Sequence, residues 1–501
     1  MIYGVRIRSV WFTAAAAFAL LTFAGYCRAV DSMSVYPAPG GVVLNDSFSV
    51  KVRVPGNAWQ DLAIYDVRVN LFKLSQAAFA YFDFAGKAEV QVTFNDGEIK
   101  TVDIRPKSFA IVPRLDGKTI VFTLDQPRNL SIEVNGDRLH NLHLFGSATE
   151  KNIPLKDDAN VIFFGPGLHT LGSHPAITSE GNVGGKEMAT IKVSSGKTVY
   201  LAGGSVVQAA IQLADKASDV TIRGRGILDL SPWNEPKGYF IEGSTWQTSG
   251  ITLPFTSNTR IEGIIVKQPM GYTVLGGKAE GVSIEGLKSF SAHEWADGID
   301  MMASSNIHIS GVFLRNSDDC IAIYGSRWSF RGDSRKWVVQ DSTFWADKAH
   351  PIYMGVHGDF EGNGDILEDC TFRNIDILES NEPTPGFWGA MSIGCGDKNT
   401  CRNITFDDIR VEHIRDAGGR LIDVQFKHYQ PSTVDGRAIQ NITFRKIAYD
   451  GPKDSLLEGK GPDQMLQGIF FDGMKINGKP VLKAEDGPII IGKFVNGIEF
   501  K

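Results

Sequence analysis

The sequence is poor in cysteine, has no surplus of positive charge and, past its first thirty residues, contains no long apolar run. Five cysteines occur in 501 residues, and Cys27 falls within a leader-like segment. The other four, Cys320, Cys370, Cys395 and Cys401, are too few for a disulfide framework and lack the spacing of a zinc site. Cys395 and Cys401 flank a Gly-Asp-Lys-Asn-Thr turn, where they could either bridge in an oxidising compartment or stay as thiols. A formal charge of −6 excludes the basic stripe that nucleic-acid phosphates or anionic lipid require. No nucleic-acid partner is expected. Without a later apolar run no further membrane span is expected either, so the mature chain reads as a soluble monomer with no membrane partner.

What is present begins with Arg6 and Arg8, an apolar run from Val10 to Tyr26, and Cys27-Arg28-Ala29. These read as the three regions of a signal peptide over residues 1–29, implying a secreted or periplasmic protein; an N-terminal anchor is the alternative. Residues 30–180 then alternate apolar and polar positions in short runs, such as Val90-Gln-Val-Thr-Phe and Thr119-Ile-Val-Phe-Thr-Leu. Asn95-Asp-Gly and Asn135-Gly-Asp mark the turns. This pattern predicts an antiparallel β-sandwich.

From about Val199 the turns stop looking like hairpins and a repeat takes over. Ile222, Ile261, Ile284, Ile309, Val339, Leu367, Phe406 and Phe444 are read as one inward position per unit, the shortest steps being 23 and 25 residues. Such steps are too short for propeller blades and predict the stacked coils of a right-handed parallel β-helix over residues 190–501, an all-β fold.

Neighbouring coils lie about 4.8 Å apart, so residues one repeat apart in sequence become neighbours in space. Ala296-Asp297-Gly298-Ile299-Asp300 precedes Asn316-Ser317-Asp318-Asp319-Cys320 by one such step. Crowded carboxylates retain a proton on one member, which is the division that cleavage of a glycosidic bond needs: an acid for the leaving oxygen and an ionised partner for water or carbon. A calcium site or solvated corners would also use these residues. Consecutive residues on a regular strand face opposite sides, so Asp318 and Asp319 can share a cleft only across a bulge or bend. His350, one coil on in His350-Pro-Ile-Tyr-Met-Gly, could sit cationic beside the carboxylates or serve as a structural histidine, and His357 is the weaker candidate.

The three segments at 297–300, 316–319 and 350–355 resemble the successive active-site motifs of the polygalacturonase-like glycoside hydrolases. They are also similar to those of the dextranase and isopullulanase family, where a β-sandwich precedes the β-helix. The resemblance implies that Asp318 is the general acid, that Asp297 and Asp319 hold the attacking water in an inverting reaction, and that His350 is the active-site histidine. It implies no cofactor and no metal. Polygalacturonases add an Arg-x-Lys strand one coil after the histidine, suited to a substrate carboxylate. The stretch here, Gly386-Phe-Trp-Gly-Ala-Met-Ser392, carries no cation. Phe387 and Trp388 could stack on a sugar or belong to the core, and Lys427, His428 or Tyr429 could reach the cleft from the next coil. Asp300, Trp388, Lys427 and Tyr429 are therefore the candidate substrate-binding residues.

The expected function is an inverting, endo-acting hydrolase of α-linked bonds in a neutral, dextran-like polysaccharide. A pectin-cutting polygalacturonase is the nearest rival. A polysaccharide lyase and a non-catalytic carbohydrate-binding β-helix stand for other classes, because a scaffold alone does not select a function.

Overall fold

The computed structural model describes Met1 and residues 31–183, 185–234, 248–416, 419–427 and 432–501. The expected leader, His428 and Tyr429 lie outside the described residues. Regular structure among the described residues is almost all strand, with turns of 3₁₀ helix at Lys107–Phe109 and Ala484–Asp486.

The C-terminal part is a parallel β-helix. Each coil contributes one strand to a sheet of 12 strands and one or two to a sheet of 21 strands. In the later coils two strands fuse into one long strand, as in Ser334–Lys348 and Ile366–Glu379. Coils are in register, pairing Ile222 with Ile261, Ile261 with Ile284, Ile284 with Ile309 and Ile309 with Val339. Beyond Val339 the expected series needs a correction, because its partner is Phe372 and not Leu367. Leu367 is inward and buried as well, pairing with Ser334 and Cys401. Asp369, with φ 58°, breaks the alternation between the two, so a period of two cannot tell them apart. The column continues as stacked rings: Phe372 to Phe406 at 5.1 Å, Phe406 to Phe444 at 5.1 Å, then Phe471 and Phe500.

The coils begin earlier than residue 190. Strands Val161–Phe164 and Gly167–His169 already pair in parallel with Thr198–Leu201 and Ser205–Val207, so they belong to the helix although the alternation placed them before it. Ahead of them two sheets, one of six strands and one of five, enclose a common core of residues such as Val50, Val90, Phe122, Phe82, Leu130 and Leu144. The pairing is not wholly antiparallel as expected, because Leu142–Ala148 runs parallel to Ser75–Ala85. The outer face of the larger sheet, with Tyr65, Phe79 and Phe145, packs on Phe290, Phe313 and Trp345 of the helix.

The four cysteines are free and buried. Cys395 Sγ lies 3.1 Å from the carbonyl oxygen of Asn399, to which it donates.

Candidate active site

The site is a product of coil register. Strand Ile299–Met302 pairs with Ile321–Tyr324, and that strand with Ile352–Gly355. Counting two residues back from each strand start, Asp297, Asp319 and His350 form one column. The backbone bonds Gly298 N to Asp319 O at 2.7 Å and Cys320 N to His350 O at 2.8 Å fix it. Gly298 is required there, since a Cβ at this position would lie 2.2 Å from the Cys320 carbonyl oxygen of the next coil. The expected break is present: strand Phe313–Ser317 ends before Asp318, the register shifts at Asn316/Ser317, and the chain bends before Ile321. That bend brings Asp318 beside the column, and oxygens of Asp297, Asp318 and Asp319 lie within 4.8 Å of one another.

Environment divides the carboxylates. Asp319 Oδ1 accepts from the His350 amide at 2.9 Å and faces His350 Nδ1 at 2.7 Å. Nε2 of the same ring faces the Phe387 carbonyl at 3.0 Å. A carboxylate and a carbonyl only accept, so both ring nitrogens donate and the imidazole is a cation. Burial pushes its pKa down, but the charge and hydrogen bond of Asp319 outweigh that and raise it. Asp318 behaves differently: burial first, then the charge of Asp319, lifts its carboxyl to about 7, opposed by Lys348. Its oxygens accept from the Trp295 amide at 3.3 Å and the Asp319 amide at 3.1 Å. Burial and the neighbouring Asp300 and Asp318 hold Asp297 well above the ordinary carboxylate range.

Asp300 is fully buried, and neither of its oxygens has a hydrogen-bond partner among the described residues. It stands in register with Ala322 and Tyr353, in the outward row that continues to Ser392, and is closed off from solvent. Trp388 is half-buried beneath Arg420, whose guanidinium stands 5.0 Å from the ring centre. Phe387 lies against His350 and Tyr353 with ring centres 4.9 and 5.0 Å away. Lys427 is buried, pairs with Asp423 at 3.3 Å and also donates to the Gly386 carbonyl. Arg420 pairs with Asp423 and Asp454. His357 is held neutral by burial and by Arg327.

Sequence reasoning missed Tyr272 and Arg327. Tyr272 precedes Asp297 in the same column, since Val274 pairs with Ile299, and extending the repeat by one coil would have found it. Arg327 lies in an insertion without periodicity; its Nη1 donates to Tyr272 Oη at 3.1 Å, and its charge lowers the proton affinity of Asp300. Among the described residues it has no carboxylate at ion-pair distance.

A carboxyl poised near neutrality beside a carboxyl bonded to an imidazolium can give and take protons, which is what general acid–base chemistry needs. The glycosyl hydrolases family 28 profile matches residues 167–484, more than half of the chain and the whole of this site. The chain belongs to glycosyl hydrolases family 28. The chain spans about a third to a half of the length of the first curated relatives it matches. Isopullulanase of Aspergillus niger is 22% identical over 469 residues, 83% of this chain and 78% of that protein. A probable exopolygalacturonase X of Aspergillus flavus is 30% identical over 145 residues, but those are 27% of this chain and only 31% of that protein. A probable endo-xylogalacturonan hydrolase A of Aspergillus fumigatus is matched over 52% of its length, at 24% identity and 43% of this chain. The structure of Dex49A from Penicillium minioluteum superposes with a TM-score of 0.58 at 16% identity, covering 93% of this chain and 96% of that one, which establishes the shared fold.

Proposed function

We propose that this family 28 enzyme is a secreted or periplasmic, endo-acting and inverting hydrolase of a neutral α-linked polysaccharide, dextran-like in its bonds. The observation that carries the reaction is the difference in setting between Asp318, whose carboxyl is lifted to about 7, and Asp319, which faces His350 Nδ1 at 2.7 Å. Asp318 gives its proton to the leaving oxygen. Asp319 takes the proton of the attacking water, and Asp297, at the other side of the cluster, orients that water. His350 touches no substrate and acts by positioning and charging Asp319.

For inversion the acid and base carboxyl groups stand about 6.5–9.5 Å apart, against about 5 Å for retention. One oxygen from each of Asp297, Asp318 and Asp319 lies within 4.8 Å of the others, a span that a single water with hydrogen bonds of about 2.8 Å bridges. A double displacement uses two carboxylates, and three converge here; the third favours a water held on the open side of the Asp297–Asp319 pair. The anomer first released decides this. Inversion of an α-bond gives the β-anomer in a proton NMR time course, and the α-anomer appearing first would replace this reading with a covalent intermediate.

Neutrality of the substrate is supported by the floor of the cleft. Strand Met391–Cys395 follows His350 by one coil, and its outward positions are Ser392 and Gly394. A Cβ on Gly394 would lie 2.5 Å from Tyr353 Oη and 3.0 Å from Lys427 Cγ, so the tyrosine and the lysine stem together fill the place where a cationic side chain would stand. The charge of Lys427 is spent on Asp423. A digest panel tests this, with cleavage of dextran or pullulan expected and release of galacturonic acid alone contradicting it. A uronate substrate is the second reading, favoured by one observation, an Arg327 whose guanidinium meets Tyr272 and Trp328 but, among the described residues, no carboxylate at ion-pair distance. It requires Arg327→Met to abolish cleavage of polygalacturonate.

A further inference from the structure

Two tryptophans near the aspartates are neither core nor catalytic. Trp295 and Trp328 are 44% and 43% exposed. Trp295 lies in the loop entering strand Ile299–Met302, and Trp328 lies in the hairpin leaving strand Ile321–Tyr324, so they stand at opposite edges of one sheet on adjacent coils. The Trp295 amide bonds to Asp318 Oδ2 at 3.3 Å. Trp328 stacks at 4.3 Å on Arg327, which reaches Tyr272 in the aspartate column.

Both hold an unusual backbone. Trp295 has φ 63° as third residue of the turn closed by Ala296 N to His293 O at 3.3 Å, and Trp328 has φ 52° as second residue of the turn closed by Phe330 N to Arg327 O at 3.0 Å. Such corners go by preference to glycine or asparagine. A bulky residue there is strained, and strain of this kind gathers at functional sites. Burial returns little of it, because almost half of each indole remains in water.

The hairpin that carries Trp328 is firmly seated. Phe330 sinks against Phe255 at 4.9 Å and covers Gly277, where a Cβ would meet its ring at 2.3 Å. Ser326 is held by Asp365 through its amide at 2.6 Å and its hydroxyl at 3.1 Å. A fixed aromatic plane needs such a mount if it is to bind without losing entropy.

We infer that Trp295 and Trp328 are sugar-stacking platforms, one at each edge of the cleft, holding two neutral pyranose rings of the chain across the aspartates. A pyranose offers a face of C–H groups to the negative face of an indole, which draws in polarised hydrogens and does nothing for a carboxylate. The inference rests on the neutral-polysaccharide reading and adds where that polymer is gripped.

The test is dextran affinity by isothermal titration on an Asp318→Asn background, which binds without turnover. Trp295→Gly and Trp328→Gly should each weaken binding about tenfold while the melting temperature holds or rises, since glycine relieves the turn. A merely structural tryptophan would lower the melting temperature instead. Trp295→Phe and Trp328→Phe should regain most of the affinity, and Trp59→Ala, in the N-terminal sheets, should leave it unchanged. Unweakened dextran binding by either glycine variant overturns the platform. If the Asp318→Asn parent binds polygalacturonate but neither dextran nor pullulan, the neutral-substrate reading itself fails, and the ligand assigned here fails with it.

Discussion

As the proposed acid, Asp318 must keep a proton near neutral pH. With its carboxyl lifted to about 7, kcat/KM should hold below about pH 7 and fall about tenfold per unit above it. Lys348 pulls that value down, so Lys348→Met should move the alkaline limb to higher pH; an unmoved limb would remove Asp318 from the acid's role. The same shift costs stability. An unfolded aspartate titrates near about 3.9, so between about pH 4 and 7 the folded chain binds more protons, and stability declines as pH rises through that window. Asp318→Asn should therefore raise the melting temperature at pH 7 while lowering turnover about 10²- to 10⁴-fold. Asp319→Asn should cost more turnover than Asp297→Asn, because His350 charges only the former. Equal losses would mean that both carboxylates share the water. At this scale the sequence was legible wherever chemistry repeats at coil spacing, at Asp297, Asp318, Asp319 and His350. It was not legible that Asp300 is fully buried or that the charge of Lys427 is met by Asp423 four residues away.

Individual strands matter through what they stack upon. Phe444 is fully buried between Phe406 and Phe471 at 5.1 and 5.3 Å, and neighbours above and below prevent collapse of any gap. Phe444→Ala should cost about 3–5 kcal/mol, measured by denaturant unfolding; a loss below about 1 kcal/mol would mean the coil repacks. Composition and step length showed that coils exist, but the residue on each coil depends on corners that reset the alternation. Asp369 is such a corner, and it moved the inward position from Leu367 to Phe372. The first coil was hidden for a related reason. Val161–Phe164 alternates no differently from a sandwich strand, and only its parallel partner Thr198–Leu201 reveals where it belongs.

The N-terminal sheets and the helix are joined by buried charge as well as by apolar packing. Arg105 meets Glu133 at 2.9 Å, Glu379 at 3.4 Å and Glu412 at 2.7 Å, and Arg315 meets Asp347 at 3.0 Å and the N-terminal Asn141 at 2.8 Å. Breaking one partner of such a set strands the others, so Arg105→Met should destabilise the chain by about 3–5 kcal/mol in one cooperative transition. Two separated transitions would show that the units unfold independently. Burial would raise Glu379, yet the His413 hydrogen bond and Arg105 bring it down to about 2. Its contribution is complete above the unfolded value of about 4.3 and is lost as pH falls toward 2. A truncation of residues 31–175 would remove both this junction and the first coil, so activity is expected only from the intact molecule. Alternation within each part was readable beforehand, but contacts across some three hundred residues of sequence were not. In the proposed mechanism Asp318 donates a proton to a departing sugar oxygen, and leaving-group dependence tests that most directly. Asp318→Asn should lose about 10²- to 10⁴-fold on the polysaccharide but stay within a few-fold of the parent on a glycosyl fluoride, whose departing group needs no proton. Parental turnover of the polysaccharide by this variant, or equal losses on both substrates, would contradict the account.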